Sequence, residues 1–403
     1  MKKIISIALA LLMVAVMLPV MAMAAEVEVS DETSLKDAVA TNGNNIKLTK
    51  DITLTGTLTI NAGVEIVLDL AGNKISAAMN KPHMISSAGT LTIIDSVGSG
   101  SIAKEGNSSD YGYVLENHGT MVLNGIKVTS ASSVSSAIEN GWYTASANTT
   151  KEPCKMTITN SDISQANGSG GLYTIKNDDY GVMIINGGNF TNSTAGAGTV
   201  LNWNDLTIND GNFTGVAAVR TLKEGELGYE KGNTLINGGT FNGKIDTLPK
   251  YSDVQIGVMG GTFNTDVTAY AGDTLVVENN GTYYVGGTAR DAIENATGGT
   301  FTIKKAENGT DFNNVKPGVT IVNNSGVNIK VNGVNVPPHV GGDGGNNGYV
   351  VPNQPIIIYT PTEDTPKVND QKNPGTGAND FVGVAAAMAV VSLLGAAAVI
   401  RKK

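Results

Sequence analysis

Ile185-Asn186-Gly187-Gly188-Asn189-Phe190, Ile208-Asn209-Asp210-Gly211-Asn212-Phe213, Ile236-Asn237-Gly238-Gly239-Thr240-Phe241 and the degenerate Val258-Met259-Gly260-Gly261-Thr262-Phe263 are four copies of one phrase, with phenylalanines 23, 28 and 22 residues apart. Self-similarity at such a period is the signature of a solenoid, in which each repeat is one coil laid on the last. Alternation within a copy, as in Leu206-Thr207-Ile208, sends every second side chain inward, as in a strand. The phenylalanines are expected to form an inward aromatic column. The asparagines that end the strands (Asn124, Asn160, Asn186, Asn209 and Asn237) are expected to stack at a turn, where their amides can satisfy the neighbouring coil.

Composition agrees with an all-β chain. Among 403 residues there are 50 glycines, only 5% aromatics and 16% charged residues, while 41% hydrophobic content is ample for a core. Short apolar runs are punctuated by Gly, Asn, Thr and Ser, which is turn chemistry. The formal charge of −9 has no basic block, so nucleic acid is excluded as a partner for want of a basic footprint. The single cysteine, Cys154, has no second thiol in the chain and reads as a small buried or loop residue.

The two ends define a location. Met1-Lys2-Lys3, an apolar run to Val20 and Ala22-Met23-Ala24 have the form of a secretory signal, with cleavage between Ala24 and Ala25. At the other end, Asn373-Pro374-Gly375-Thr376-Gly377 precedes an apolar run, 381–400, that stops at Arg401-Lys402-Lys403. Twenty apolar residues are long enough to cross a bilayer as an anchor helix, with the terminal cations kept inside. With the pentapeptide in front, this end resembles the sorting signal of Gram-positive surface proteins. In that family a sortase cuts between Thr and Gly of a Leu-Pro-x-Thr-Gly motif and joins the Thr to peptidoglycan; here Asn373 replaces the Leu. Loss of both ends removes five cations and one acid, leaving a more acidic mature chain.

Between the ends, Ser34-Leu35-Lys36-Asp37 fits a capping box and opens a short helix to about Ala40, expected to shield the first coil. The β-helix is expected over 25–286. A small α+β module follows over 287–335, because Asp291-Ala292-Ile293 echoes Asp37-Ala38-Val39. A Gly, Pro and Asn-rich linker spans 336–372 and the sorting signal 373–403. Ile46-Lys47-Leu48-Thr49-Lys50-Asp51-Ile52-Thr53-Leu54, Val67-Leu68-Asp69-Leu70-Ala71-Gly72-Asn73-Lys74-Ile75-Ser76 and the Asn-Gly-Gly-Thr-Phe coils together resemble the pectin-lyase-like right-handed parallel β-helix superfamily. More narrowly, they resemble its surface-anchored, adhesin-like members in gut Gram-positive bacteria. The resemblance covers roughly residues 30–286 and implies a coil type more than an activity.

That superfamily includes polysaccharide lyases and hydrolases, so chemistry must be sought. The Gly-His-Gly and Arg-Ile-Lys elements of its pectin-hydrolysing branch are absent. Asp178-Asp179 reads as a solvated turn, His118 as a turn residue and Arg220 as a surface charge. Asp205 and Asp210 are too dispersed for calcium. No zinc-spaced cluster or phosphate loop is present, so no catalytic residue, metal or cofactor is expected. The candidates for binding are aromatics near the turns of successive coils: Trp142, Tyr143, Tyr173, Tyr180 and Trp203. Their rings can stack on sugars or anchor a protein interface. The insertion from Gly141 to Cys154, read as a projecting loop, carries the first two. The reading that results is a wall-anchored adhesin or interaction scaffold, with a polysaccharide-active enzyme as the alternative.

Overall fold

A computed structural model describes residues 26–77, 83–105, 112–143, 147–166, 172–222, 232–248, 254–339 and 348–352. Residues 1–24, read as a secretory signal, residues 373–377, read as a sorting motif, and the apolar run 381–400 lie outside the described residues, as does most of the segment read as a linker. Among the described residues no helix is long and apolar enough to cross a membrane. What is described is a parallel β-solenoid of about seven turns.

Each turn contributes short strands to three parallel faces, and the register of those faces follows from the period-2 pattern of the sequence. On the first face Ile46, Leu68, Ile93, Leu123, Ile158, Ile185, Ile208, Ile236 and Val258 fall in one column. On the second, Ile52, Ile75, Ile102, Val128 and Ile163 lead into Phe190, Phe213, Phe241 and Phe263. On the third, Leu58, Ile85, Leu115, Ile138, Ile175, Val200, Val219 and Ile245 align. A one-residue slip would turn a whole column out to water, so burial holds the register. Nearly all of these side chains are completely buried in one core cluster.

The phenylalanines stack as the sequence anticipated. Their centroids are 4.7, 4.9 and 4.8 Å apart, with ring planes within 11° of parallel. This near-parallel arrangement is imposed by a strand spacing of about 4.8 Å, whereas free ring pairs prefer an offset or an edge. The glycine two residues before each ring has a steric cause. Gly188 has φ +117, and a Cβ there would lie 2.0 Å from the Ser161 carbonyl oxygen, so the turn closes only without a side chain.

The asparagine expectation holds in part. Asn209 Nδ2 donates to Asn186 Oδ1 at 2.8 Å and Asn237 Nδ2 to Asn209 Oδ1 at 2.9 Å, but this ladder lies at the surface. Asn124 instead pairs in the first face with Thr159. Asn160 takes a left-handed conformation, φ 45. The buried ladder lies elsewhere, at the end of the third-face strands. Asn117 donates to Asn140 at 2.7 Å, Asn140 to Asn177 at 2.8 Å and Asn177 to Asn202 at 2.8 Å. Asn202 closes the series on Thr234 Oγ1 at 2.9 Å. These amides also donate to turn carbonyls, including those of Lys155, Asp205 and Asn233. They satisfy backbone groups that would otherwise be stranded inside the coil.

The first helix, α1 (Glu32–Val39), begins before the expected position. Asp31 is its N-cap and Ser34 the reciprocal partner of the capping box, so Ser34 sits one turn in and not at the start. Leu35, Ala38 and Val39 enter the core, and Glu32 reaches across to the Thr55 and Gly56 backbone N–H groups.

The continuous parallel stack of coils ends at Gly261–Phe263, which pairs antiparallel with Thr282–Val285, although Gly299–Lys305 and Val319–Asn323 beyond it are again parallel. A second helix, α2 (Gly287–Glu294), and the strands Gly299–Lys305 and Val319–Asn323 follow, around a separate core that includes Val277, Ile293, Phe301, Phe312 and Ile321. Tyr349–Val350 pairs with Thr320 and Ile321, so ordered pairing extends into the segment read as linker.

Two outcomes are expected. Asn177→Ala removes both a donor and an acceptor from the buried ladder and should cost about 2–3 kcal/mol, read as a lower urea midpoint. Glu32 is pushed up by desolvation but more strongly down by hydrogen bonds from Lys36, Thr55 and Gly56, from 4.5 to about 2. A lowered carboxyl contributes stability that is present above its unfolded pKa and lost as pH falls through the folded one. The wild-type chain should therefore lose stability between about pH 4.5 and 2. Glu32→Gln should lack that component in acid titrations followed by circular dichroism.

Candidate functional site

The buried asparagines organise the surface beside them. In Leu115-Glu116-Asn117, Ile138-Glu139-Asn140 and Ile175-Lys176-Asn177 the flanking residues point inward and the middle one outward. In-register stacking therefore lines up Ser86, Glu116, Glu139, Lys176, Leu201, Arg220 and Asp246 on the third face. Residues 19 to 37 apart in sequence become neighbours on strands about 4.8 Å apart.

Glu116 lies between two histidines. Its Oε2 accepts from Ser86 Oγ at 2.6 Å. Its Oε1 is 3.5 Å from His83 Nε2 and 3.9 Å from His118 Nε2. His83 Nδ1 accepts the Tyr113 backbone N–H at 3.4 Å, and the two rings stack at 5.5 Å. Neutral His83 therefore carries its proton on Nε2, facing Glu116. His118 lies flat on the Trp142 indole, with centroids 3.8 Å apart and planes 9° from parallel. Burial lowers the pKa of both imidazoles against the opposing pull of Glu116.

Glu139 occupies the next rung and is only 2% exposed. Burial first, then the Asp178 carboxyl beside it, pushes Glu139 well above the usual carboxylate range. Its Oε1 is buried without a hydrogen-bond partner. Lys176 answers the acids. Its Nζ is 2.6 Å from Asp178 Oδ2 and lies 4.7 Å from the centre of the Tyr143 ring. Further along the face, Arg220 makes a bidentate pair with Asp246, both bonds 2.7 Å.

Asp178 and Asp179 are buried, at 4% and 3% exposure, in contrast to the solvated turn read from their sequence. The cause is that Asp178 N–H and Asp179 C=O are both used, by Asn140 O at 2.8 Å and by Trp142 N–H at 2.9 Å. His118 does follow a strand, but its ring is committed to Trp142. Arg220 lies within the strand Asp205–Thr221, not on a turn. Cys154 is buried, and burial pushes its thiol up to about 11.

The five aromatics separate. Trp142 and Tyr143 join the His118–Glu116–Glu139–Lys176 group, with Tyr143 75% exposed. The Trp142 end of the insertion is pinned to Asp179 by a β-bridge and does not project. Tyr173 is buried against Gly198, where a Cβ would lie 2.1 Å from its ring, and it faces Arg220. Tyr180 is half-buried at a left-handed turn position, φ 61. Trp203 is half-buried, and its backbone N–H donates to Asn177 O at 2.8 Å.

Glu116, Glu139, Lys176, His83 and Tyr113 were not anticipated. A signal was present in the apolar–charged–Asn triplets, but attention to the phenylalanine phrase selects the wrong asparagines. An open depression on another part of the solenoid is lined by Asn, Asp and Gly alone, among them Asn189 and Asp210, and brings no cation or ring to bear. Comparison of the chain with protein families, with characterised proteins and with solved structures finds no match.

Lys176 is the cation nearest the three carboxyls Glu116, Glu139 and Asp178 in this ladder. Lys176→Met alone should be destabilising by about 3 kcal/mol, because it leaves Asp178 buried beside Glu139 without its cation. Adding Asp178→Asn should recover much of the loss. A double-mutant cycle on urea midpoints measures the coupling.

Proposed function

We propose that this is a secreted, wall-anchored surface protein of the right-handed, pectin-lyase-like β-helix type, acting as an adhesin that recognises polysaccharide on its third face. The observation that carries the reading is the exposed Tyr143 ring held over Lys176, beside the Trp142–His118 stack and the outward Glu116. A ring with a free face can stack on a pyranose, while charged and imidazole groups alongside hydrogen-bond its hydroxyls. A rigid rod built from stacked coils presents such a face with little ordering cost on binding. The leader, the Asn373–Gly377 pentapeptide and the apolar run 381–400 support export, processing by a sortase and attachment to peptidoglycan. Right-handed winding accords with the strong preference of parallel crossovers.

A second reading, cleavage of the bound polysaccharide, is favoured by one specific feature: Glu116, Glu139 and Asp178 converge on a single face. Paired carboxyls across a glycosidic bond are the requirement for hydrolysis. Release of reducing ends or unsaturated products from a polysaccharide panel, lost in Glu116→Gln, would establish that reading in place of simple binding.

The adhesin reading is tested by retention of the purified chain on immobilised host and plant glycans. Tyr143→Ala should weaken retention on the recognised glycan by about tenfold, or 1.4 kcal/mol, with no change in unfolding. No retention on any glycan, or equal retention of the variant, would overturn it.

A further inference from the structure

One carboxylate oxygen of Glu116, one of Glu139 and one imidazole nitrogen of His118 lie within 4.8 Å of one another. Three acidic or imidazole groups on a protein surface do not by themselves make a metal site. Here a second observation points to a ligand. Glu139 is 98% buried and shares the outward face with Glu116 on the adjacent rung; its carboxyl meets Asp178 and the Tyr113 hydroxyl, yet its Oε1 has no hydrogen-bond partner. A buried carboxyl oxygen left without a donor is costly, and a cation held between it and Glu116 would satisfy it.

We propose that Glu116, His118 and Glu139 bind a divalent first-row transition metal, with zinc as the first candidate. The donor set of one imidazole nitrogen and two carboxylates suits zinc or manganese, whereas calcium and magnesium favour oxygen donors throughout. Donor atoms around tetrahedral zinc lie about 3.3 Å apart, so separations of up to 4.8 Å require the side-chain tips to close by up to about 1.5 Å. Glu116 and His118 retain 12% and 19% side-chain exposure, so their ends have room to move.

His83 has a different part. Its Nδ1 accepts the Tyr113 N–H, so its Nε2–H is directed at Glu116 Oε1. It is a positioning residue that orients the carboxylate, as the outer partners of metal ligands commonly do. The Trp142 indole fixes the plane of the His118 ring in the same way. Three protein ligands leave coordination positions open on the face that carries Tyr143, which is the arrangement of a reactive or substrate-binding metal site, not a closed structural one. The inference does not depend on glycan recognition, and metal uptake is measured without any glycan.

The test is isothermal titration of chelator-stripped, full-length protein with zinc chloride and, separately, calcium chloride. Zinc should bind at one equivalent and calcium should not compete. Glu139→Gln is isosteric; it and His118→Gln should each lose zinc affinity by at least about tenfold, and His83→Gln should weaken binding by about tenfold. His339→Gln should change nothing. A readout in the unmutated site covers the case of a ligand variant that fails to fold. Trp142 is one of only two tryptophans. In a Trp203→Phe background its fluorescence should be quenched by one equivalent of cobalt(II) and restored by zinc. No zinc uptake by the wild-type chain, calcium uptake in place of zinc, full zinc affinity in both ligand variants, or unquenched Trp142 would each overturn the proposal.

Discussion

Parallel strands stacked in register, about 4.8 Å apart, are the constraint from which everything else in this molecule follows. In such a stack each residue is covered by its counterpart one coil away, so a side chain is acceptable only if it can sit upon something like itself. Aliphatic columns satisfy this by dispersion and loss of water. The phenylalanines satisfy it face to face, at a spacing that the backbone sets. Asparagine is the polar residue that can do the same inside a coil, because its amide donates to one neighbour and accepts from the other.

The same constraint creates the site. The asparagine ladder requires an inward residue at the end of each third-face strand, and the residue before it then faces outward. Where that residue is charged in successive coils, stacking brings like charge against like, which is unfavourable on an open sheet. Glu116 and Glu139 are such a pair. The molecule accommodates them by burying Glu139, which raises its carboxyl well above the usual carboxylate range, by placing Lys176 on the following rung, and by enclosing Glu116 between imidazoles. Regular coils thus produce a cluster of perturbed groups on one face, of the kind that marks functional sites.

Legibility followed locality. The inward and outward alternation of Leu206-Thr207-Ile208 and the Gly-Gly-x-Phe turns are set by contacts between adjacent coils of near-identical sequence, and they were readable. Helix α1 was also visible, although its cap was misplaced by three residues because Ser34 reads equally well as N-cap or as third helical residue. Asp178-Asp179 does enter a turn, closed by the Gly181 N–H on the Asp178 carbonyl, but it is buried and not solvated; nothing nearby in sequence reveals that Asn140 and Trp142 pair with it. His118 does occupy a bend between two strands, as read, but its ring's partner was not legible, since Trp142 lies in the next coil. Tyr173 had the composition of a binding residue, but Gly198 in the following strand makes room for its ring and buries it.

The period of the repeat determined, from the chain alone, that this is a stacked β-coil with its apolar columns inside. Apolar burial and strand alternation act within a few residues, so their pattern is written locally. Only the tertiary structure decided which asparagines are buried and which polar side chains meet. Coils of 23 to 37 residues bring Glu116, Glu139 and Lys176 onto neighbouring rungs through turns of unequal length. Which residue faces which is a matter of register across those turns, and register is settled by the packing of the whole coil.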